Sequence, residues 1–363
     1  MQNPWDVLVV GAGPAGSTAA RYAAEAGLSV LLIDKKKEIG VPVRCGEFNA
    51  AAVVLAEALP DAPGLDELFP IDPGLVQRAI RGFVVTSPEG REYEFDLPGY
   101  TVNRDAFDRH LTEVAVRAGA VLSPDTTFLS REGNRVITSR GEVEGGVVIA
   151  ADGPLSPVCR SAGMERNALL APAITCQVEG EFGDRLRFFF GNKIAPGGYA
   201  WVFPKRGCAN VGLGVQNRAT PVSILLQSFL SERGFAAGDV QVGFVPVSGP
   251  IRETVRGNIV VVGDAAGHVV ASNGGGIATA MICGRLAGLA VAGHLLRGEP
   301  LEVYEREWRS AVGRELLAAA RTKRMADRVL GSDLLLERAM RILGNRGIRD
   351  LIVFGGRRAG CLR

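Results

Sequence analysis

The stretch Val7-Leu8-Val9-Val10-Gly11-Ala12-Gly13-Pro14-Ala15-Gly16 decides the fold, because an apolar run leads directly into a G-x-G-x-x-G pattern. A helical pattern follows to about Gly27, and a second apolar run from Ser29 to Ile33 ends on Asp34. Strand, glycine turn, helix, strand and acid in this order are typical of a dinucleotide-binding unit. The sequence therefore predicts a dinucleotide site at the start of the first helix.

Each residue of this unit has a physical role. Gly11 allows a tight turn, Gly13 lets the backbone approach a pyrophosphate, and Gly16 lets the helix pack closely against the strand. The start of the helix offers unpaired N–H groups and a partial positive charge to the phosphates. The carboxylate of Asp34 would accept hydrogen bonds from both ribose hydroxyls and repel a 2′-phosphate, which disfavours NADP at this site.

Composition and charge narrow the class of protein. The chain has 363 residues, 47% hydrophobic and 22% charged, which is ordinary for a globular protein with a large core. A net charge of +2 gives no broad footprint for nucleic acid, and the six cysteines show no metal-ligand spacing. No run approaches the ~20 apolar residues that span a bilayer. These features predict a cytoplasmic protein without a metal site or a nucleic-acid partner.

The C-terminal part of the sequence is more basic than the rest. From Tyr304 onward there are fourteen Arg and Lys residues against seven Asp and Glu. Such an excess can form a solvated helical surface, or it can contact anionic lipid or a diphosphate head group. Both interpretations stay open, and the second would place the protein at the periphery of a membrane.

The order of patterns along the chain predicts two interleaved domains and a helical C-terminal region. Buried strands and helices assign the dinucleotide-binding domain to three separate segments, residues 1–76, 99–165 and 251–300. A hairpin pattern and longer alternating strands assign an inserted antiparallel substrate domain to residues 77–98 and 166–250. The last part, residues 301–363, is predicted to be helical.

Four motifs far apart in sequence resemble those of FAD-dependent oxidoreductases with the hydroxybenzoate-hydroxylase fold. They are the glycine turn with Asp34, Ala151-Asp152-Gly153, Gly263-Asp264, and Gly274-Gly275-Gly276-Ile277. In that fold, the later Gly-Asp presents a carboxylate between ribityl chain and pyrophosphate, and the final helix points its N-terminus at the flavin. The resemblance implies an α/β fold, with a Rossmann-like FAD domain of the glutathione-reductase type and an α+β insert that carries the substrate sheet.

Two further motifs resemble the geranylgeranyl reductase family. Pro42-Val43-Arg44-Cys45-Gly46-Glu47 is similar to its P-x-[RK]-C-[AG]-E loop. Tyr199-Ala200-Trp201-Val202-Phe203-Pro204, followed by Gly212-Leu213-Gly214, matches its Y-x-W-x-F-P…G-x-G pattern. The resemblance implies reduction of carbon–carbon double bonds in a geranylgeranyl or other isoprenoid chain by hydride from reduced FAD. It also implies a prenyl-chain lipid as substrate and NAD(P)H or a ferredoxin-type protein as electron donor.

The site residues follow from the motifs and the resemblance. The expected FAD contacts are Gly11, Gly13, Ala15, Gly16, Asp34, Cys45, Gly46, Arg104, Phe128, Asp264, Gly276 and Ile277, the one at Phe128 through its backbone. Cys45 lies in a loop where a thiol has little packing role. One interpretation is catalytic, in which Cys45 positions the reacting carbon or relays a proton. The other is a passive contact with the flavin edge. Glu47 could form a salt bridge with Arg44 within this loop, or either side chain could receive a polar head group.

Tyr199, Trp201 and Phe203 alternate along a predicted strand, so all three rings should point to one face. An aromatic wall suits a prenyl chain, and each ring could favour positive charge at a reacting carbon by about 0.5–2 kcal/mol. Core packing is the other interpretation. With Cys45, Tyr199 and Trp201 are the candidate catalytic residues, and all three aromatic residues are candidates for substrate binding.

Two other functions are compatible with the same motifs. A flavin-dependent monooxygenase or halogenase is the first, since the halogenase W-x-W-x-I-P pattern is similar to residues 199–204. Monooxygenases of this fold, however, tend to have Asn after the late glycine run, where Ile277 stands here. An electron-relay flavoprotein that serves a quinone is the second, and the sequence has no cysteine cluster for an iron–sulfur centre.

Overall fold

The computed structural model describes residues 5–354, and this part of the chain forms two eight-stranded sheets with helices around them. The helices are α1 (Pro14–Glu25), α2 (Ala52–Ala58), α3 (Leu65–Leu68), α4 (Arg104–Arg117), α5 (Pro157–Ser161), α6 (Val222–Glu232), α7 (Ile277–Arg297), α8 (Val303–Trp308), α9 (Arg314–Leu330) and α10 (Asp333–Phe354). The strands are β1 (Trp5–Val10), β2 (Val30–Ile33), β3 (Phe48–Ala50), β4 (Val76–Thr86), β5 (Glu92–Val102), β6 (Val121–Ser123), β7 (Phe128–Glu132), β8 (Arg135–Thr138), β9 (Gly141–Ala150), β10 (Leu170–Glu179), β11 (Arg185–Phe190), β12 (Tyr199–Pro204), β13 (Cys208–Gly214), β14 (Gln241–Pro246), β15 (Val255–Arg256) and β16 (Ile259–Val261).

The first sheet has β1 at its centre and the order β15-β16-β9-β1-β2-β6, with β7 and β8 attached beside β9. β1 pairs in parallel with both β2 and β9, so both of its edges are hydrogen-bonded inside the sheet. Val7 and Val9 pack into a core with α1 and α7, while Leu8 and Val10 pack on the opposite face against Phe128. The continuous apolar run before the glycine turn is therefore a fully buried strand.

Helix α7 packs against α1 at very short range. A Cβ at Gly284 would lie 2.4 Å from the carbonyl oxygen of Ala15, and one at Gly288 would lie 2.6 Å from that of Ala19. By length and composition alone, α7 could cross a membrane. However, 72% of its apolar stretch of 18 residues is buried inside the protein. Its hydrophobicity is explained by its position as a core helix of the first domain.

The second sheet has the order β14-β10-β13-β12-β11-β4-β5-β3. Its neighbouring strands are antiparallel except for β11 and β4, which are parallel. The parallel pair arises where two separate segments of the chain meet, the hairpin β4–β5 and the strands β10–β14. This sheet also takes in β3, which lies within the range 1–76, so the segment before residue 76 contributes to both sheets.

Strand β12 separates two cores because its side chains alternate. Ala200 and Val202 face α6, whereas Trp201 and Phe203 face the other side of the sheet. Helix α10 covers part of that second side, where Leu336 and Met340 pack with residues of β5 and β11, among others. The helix is kinked at Gly344, which has a φ of 57°. The second sheet and the C-terminal helices therefore enclose a space on the aromatic face of β12.

Candidate functional site

The glycine turn has the geometry that its sequence predicts. Gly11 has a φ of +106°, and a Cβ there would lie 2.3 Å from the carbonyl oxygen of Ala151. A Cβ at Gly16 would lie 1.8 Å from the carbonyl oxygen of Gly11, whereas one at Gly13 would meet no atom within 4 Å. Gly11 and Gly16 are thus required by the protein itself. Gly13 borders open space, as expected for a position that a ligand approaches.

Asp34 ties the end of β2 to this turn. One carboxylate oxygen accepts a hydrogen bond from the Ala12 N–H at 2.7 Å, and the other accepts from the Lys36 N–H at 2.8 Å. Each oxygen keeps a further lone pair with which to receive a ribose hydroxyl. The geometry is compatible with the ribose contact expected for Asp34.

A cavity of about 540 Å³ lies between the glycine turn and the second sheet. Eight of the expected FAD contacts line it, namely Gly13, Ala15, Cys45, Gly46, Arg104, Asp264, Gly276 and Ile277. The three aromatic residues of β12 line the same cavity. The structure therefore brings the expected cofactor and substrate residues together, although they come from both sheets and from distant parts of the sequence.

The residues around the cavity fit FAD. Open space borders Gly13, and α7 begins after Gly276 without a side-chain cap, which leaves its N–H groups free to face a ligand. The Asp264 carboxyl also lines the cavity. Gly11, Gly16 and Asp34 lie behind this lining, and the side chain of Phe128 is buried in the core beneath β1. A contact at Phe128 stays a prediction for its backbone.

The three aromatic rings of β12 form one continuous wall. The ring centroids of Tyr199 and Trp201 are 6.0 Å apart, and those of Trp201 and Phe203 are also 6.0 Å apart. Phe188 of β11 makes edge contacts with Tyr199 at 5.5 Å and with Phe203 at 5.2 Å. The Tyr199 hydroxyl donates to the Asn273 carbonyl at 2.5 Å, in the glycine-rich turn before α7. The wall is thereby fixed against the expected flavin site.

Arg104 lies beside the Cys45 thiol at the cavity. Its guanidinium makes a two-point contact with Asp108, at 2.9 and 3.0 Å. Desolvation by burial acts to lower the pKa of Arg104, but the charge of Asp108 and its hydrogen bonds with the guanidinium outweigh this effect and leave that pKa raised. A permanent positive charge therefore stands next to the thiol. Burial raises the pKa of the Tyr199 hydroxyl, so this group stays neutral at the cavity.

A buried ion pair holds the Cys45 loop, and the sequence did not predict it. The Lys205 ammonium lies 2.7 Å from one carboxylate oxygen of Glu47, and the two side chains are 5% and 1% exposed. The other Glu47 oxygen accepts from the backbone N–H of Arg104 at 2.9 Å. Of the two alternatives for Glu47 and Arg44, the salt bridge between them is not formed, because Lys205 is the cation paired with Glu47 and Arg44 lines the cavity. Loop and sheet are thus joined by charge.

Asn210 on β13 connects this ion pair to the aromatic wall. Its side-chain N–H groups donate to the Cys45 carbonyl at 2.8 Å and to Glu47 at 2.9 Å. Its carbonyl oxygen accepts from the Trp201 indole N–H at 2.8 Å and from the Thr175 hydroxyl at 2.8 Å. Asn210 is completely buried. One amide therefore fixes both the Cys45 loop and the indole. No pattern in the sequence marks Asn210, whose position opposite Phe203 on the neighbouring strand is given by the structure.

Asp264 gives the site a measurable pH dependence. Burial raises the pKa of its carboxyl from 3.8 to about 6, and the charge of Arg104 only partly offsets this. The folded FAD-free protein then binds more protons than the unfolded chain between about pH 4 and pH 6, so stability falls as the pH rises through this window. The loss is at most about 2–3 kcal/mol.

We expect Asp264→Asn to remove this pH-dependent contribution to the free energy of unfolding. Urea unfolding of the FAD-free protein from pH 4 to pH 7 gives the free energy of unfolding of both forms. The free energy of unfolding of the Asn variant, relative to that of the wild type, should increase as the pH rises to about 6 and then stay constant. A difference that does not change with pH would show that Asp264 titrates normally.

Two family models match this chain. The model described as the geranylgeranyl reductase catalytic domain matches residues 173–244, and the model described as FAD-dependent oxidoreductase matches residues 6–41. The first covers most of the strands that carry the aromatic wall and Asn210. The second covers the glycine turn and Asp34.

Relatives extend this match over most of the chain. Digeranylgeranylglycerophospholipid reductase of Methanocaldococcus jannaschii is 36% identical over 92% of this chain and 90% of its own. The crystal structure of a geranylgeranyl bacteriochlorophyll reductase-like protein from Thermoplasma acidophilum aligns with a TM-score of 0.81 at 29% identity, covering 94% of this chain and 92% of that one. A triple mutant of the flavin-dependent brominase Bmp2 aligns with a TM-score of 0.70 at 19% identity, over 97% and 94% of the chains, which shows a shared fold alone. The chain thus belongs to the geranylgeranyl reductase family of FAD-dependent oxidoreductases.

Proposed function

We propose that this protein reduces the carbon–carbon double bonds in the geranylgeranyl chains of a glycerophospholipid, with FAD as its cofactor. The substrate class comes from the name of the Methanocaldococcus relative. The observation that carries the proposal is the single cavity that joins the glycine turn and Asp264 to the ring-lined face of β12. A cytoplasmic location is proposed on the composition of the sequence alone.

The protein must activate its substrate, because an unactivated trisubstituted alkene is a poor hydride acceptor. Reduced FAD supplies the hydride when it is bound. The protein must then provide a proton for the other carbon and hold the alkene away from water. The proposed proton donor is the Cys45 thiol, which lines the cavity beside Arg104. The guanidinium would offset the negative charge left on sulfur.

The aromatic wall has two roles in this proposal. Tyr199, Trp201 and Phe203 provide an apolar surface along which a prenyl chain can lie. They also stabilise positive charge that develops on the more substituted carbon, by about 0.5–2 kcal/mol for each well-placed ring. Enzymes lower barriers by about 8–23 kcal/mol, so this contribution is secondary. Orientation of the alkene in a dry cavity contributes more.

The function is tested by reaction of the FAD-loaded protein with digeranylgeranylglycerophospholipid in detergent without oxygen. Dithionite reduces the flavin, and mass spectrometry should detect the gain of two hydrogens for each double bond. A monooxygenase or halogenase would instead require oxygen and leave the alkenes unchanged. Replacement of dithionite by NADH, NADPH or reduced ferredoxin then identifies the class of electron donor.

Cys45→Ser tests the proposed proton donor. A serine hydroxyl is a much weaker acid than a thiol, so we expect the rate of alkene reduction to fall by about 10²–10⁴-fold, the usual contribution of a general acid. FAD content and the rate of flavin reduction by dithionite should stay unchanged. Single-turnover kinetics by mass spectrometry measures the alkene step separately.

The matched control is Cys208→Ser. Cys208 is also half-buried and forms no disulfide, and its thiol donates a hydrogen bond to Gln177, but it lies on β13 outside the cavity lining. Its variant should reduce the lipid at the wild-type rate. Equal rates for Cys45→Ser and the wild type would restrict Cys45 to a passive contact with the flavin.

A further inference from the structure

The outer side of α9 and α10 carries exposed arginines without acidic partners. Arg321, Arg324 and Arg328 recur at spacings of three and four along α9, so they share one face of that helix. Arg338 is exposed on α10, which packs against α9. None of the four forms an ion pair within residues 5–354, and the remaining residues of the chain include no Asp or Glu.

Large apolar side chains are exposed at neighbouring positions of the same two helices. Met325 on α9 is 61% exposed, and Leu334, Leu335 and Ile342 on α10 are 56%, 47% and 77% exposed. Leu334 and Ile342 lie four residues before and after Arg338, on the same face of α10. We call these four arginines and four apolar residues the α9–α10 face.

The nearby acidic groups do not neutralise this face. Asp327 is bonded to Lys323 at 2.8 Å through both of its oxygens, and Glu337 is bonded to Arg341 at 2.9 Å. Asp333 accepts hydrogen bonds from Asn192. The carboxylates of this segment are engaged elsewhere, which leaves the arginines free to meet an external anion.

The same two helices form part of the cavity wall. Lys323 and Leu330 of α9, together with Ile352 and Val353 of α10, line the cavity from the inside. The helices therefore stand between the proposed prenyl site and solvent. Any surface bound to the α9–α10 face lies directly outside the compartment that would receive a lipid chain.

We propose that the α9–α10 face docks on an anionic lipid bilayer. Arginines mixed with exposed apolar side chains on one helical face fit the boundary between head groups and acyl chains, where phosphates meet the guanidinium groups and apolar side chains enter the hydrocarbon. The inference deepens the proposed function, on which it rests, because it names the surface from which the lipid substrate enters. Charge complementarity and the position of the cavity behind the face favour a bilayer over a protein partner.

Vesicle co-sedimentation of the FAD-loaded full chain tests the docking surface. The probes are vesicles of equal parts phosphatidylglycerol and phosphatidylcholine, and vesicles of phosphatidylcholine alone. The wild type should bind the anionic vesicles more tightly, and salt should weaken that binding. The combined variant Arg321→Gln, Arg324→Gln and Arg328→Gln should bind them about a hundredfold more weakly, which corresponds to about fivefold for each arginine. Ile342→Ser should weaken binding severalfold.

Two matched controls separate this face from general surface effects. Ile224→Ser removes an apolar side chain on α6 that is 55% exposed, and Arg160→Gln removes an exposed arginine on α5. Neither should change vesicle binding. Equal binding by the face variants and these controls, or no preference of the wild type for anionic vesicles, would overturn the proposal. So would light scattering in which Ile342→Ser dissociates an oligomer while vesicle binding is unchanged, because the face would then be an interface between copies.

Reduction of detergent-dispersed lipid is measured in parallel, because it does not need a bilayer. The face variants should keep wild-type rates in detergent and lose rate only with anionic vesicles. If the wild type reduces no lipid in detergent, the proposed function fails, whereas vesicle binding still decides the docking surface.

Discussion

Lys205→Met is expected to lower the free energy of unfolding by about 3–5 kcal/mol, because it leaves the Glu47 carboxylate buried without its cation. The Glu47 side chain is 1% exposed, so water cannot replace the ammonium group without opening the loop. The hydrogen bonds from Gln177 and Asn210 remain, but they carry no net charge. Urea unfolding of the FAD-free protein at pH 7 measures the loss.

The control for this prediction is Lys193→Met. Lys193 also pairs with a glutamate, Glu232, at 3.4 Å, but its side chain is 84% exposed. A surface pair of this kind contributes about 0–1 kcal/mol, so the control should unfold close to the wild type. If the free energy of unfolding falls equally little in both variants, Glu47 is not held as a charged group, and the ion pair does not fix the Cys45 loop.

The parts of the structure that sequence could predict depend on local pattern. The apolar run before Gly11 and the glycine spacing specify strand, turn and helix within one short segment, and the structure has all three there. The alternation of Tyr199, Trp201 and Phe203 places three rings on one face, because the period of a strand is two. The late glycine run similarly marks the start of α7. Each of these inferences needs only neighbouring residues.

The contacts that hold the site together depend on residues far apart in sequence. Lys205 reaches Glu47 across 158 positions, and Asn210 reaches the Cys45 carbonyl across 165. Within the loop, Arg44 is the cation nearest to Glu47 in sequence, which is why their salt bridge was one of the two alternatives. Lys205 is identified as the partner only by the packing of the second sheet against the loop. Without knowledge of that packing, a lysine and an asparagine on strands have no distinguishing pattern.

Fold alone does not choose among the flavoenzyme functions of this architecture. The brominase Bmp2 aligns over nearly the whole chain at 19% identity. The distinction rests on side chains at the cavity, where Cys45 and Arg104 lie together and Ile277 begins α7. Family membership and these residues favour alkene reduction. The anaerobic assay tests whether the protein carries out that reaction.

Gly16→Ala is expected to prevent stable folding of the first domain. Its Cβ would lie 1.8 Å from the Gly11 carbonyl oxygen, where backbone meets backbone and no flexible side chain can move aside. We expect a loss of more than about 4 kcal/mol, a size that single substitutions reach only through such severe mechanisms. Circular dichroism and urea unfolding of the FAD-free protein should show a partly or fully unfolded chain.

Gly13→Ala is the matched comparison, and it should separate binding from folding. A Cβ at Gly13 meets no protein atom within 4 Å, so the FAD-free variant should unfold like the wild type. The added methyl group would instead press on the pyrophosphate, at a cost of about 1–3 kcal/mol, or roughly five- to 150-fold in the dissociation constant of FAD. Fluorescence titration with FAD measures this change. Unchanged FAD affinity in a well-folded Gly13→Ala protein would show that the pyrophosphate does not approach the backbone there, and the position of the cofactor in this cavity would have to be revised.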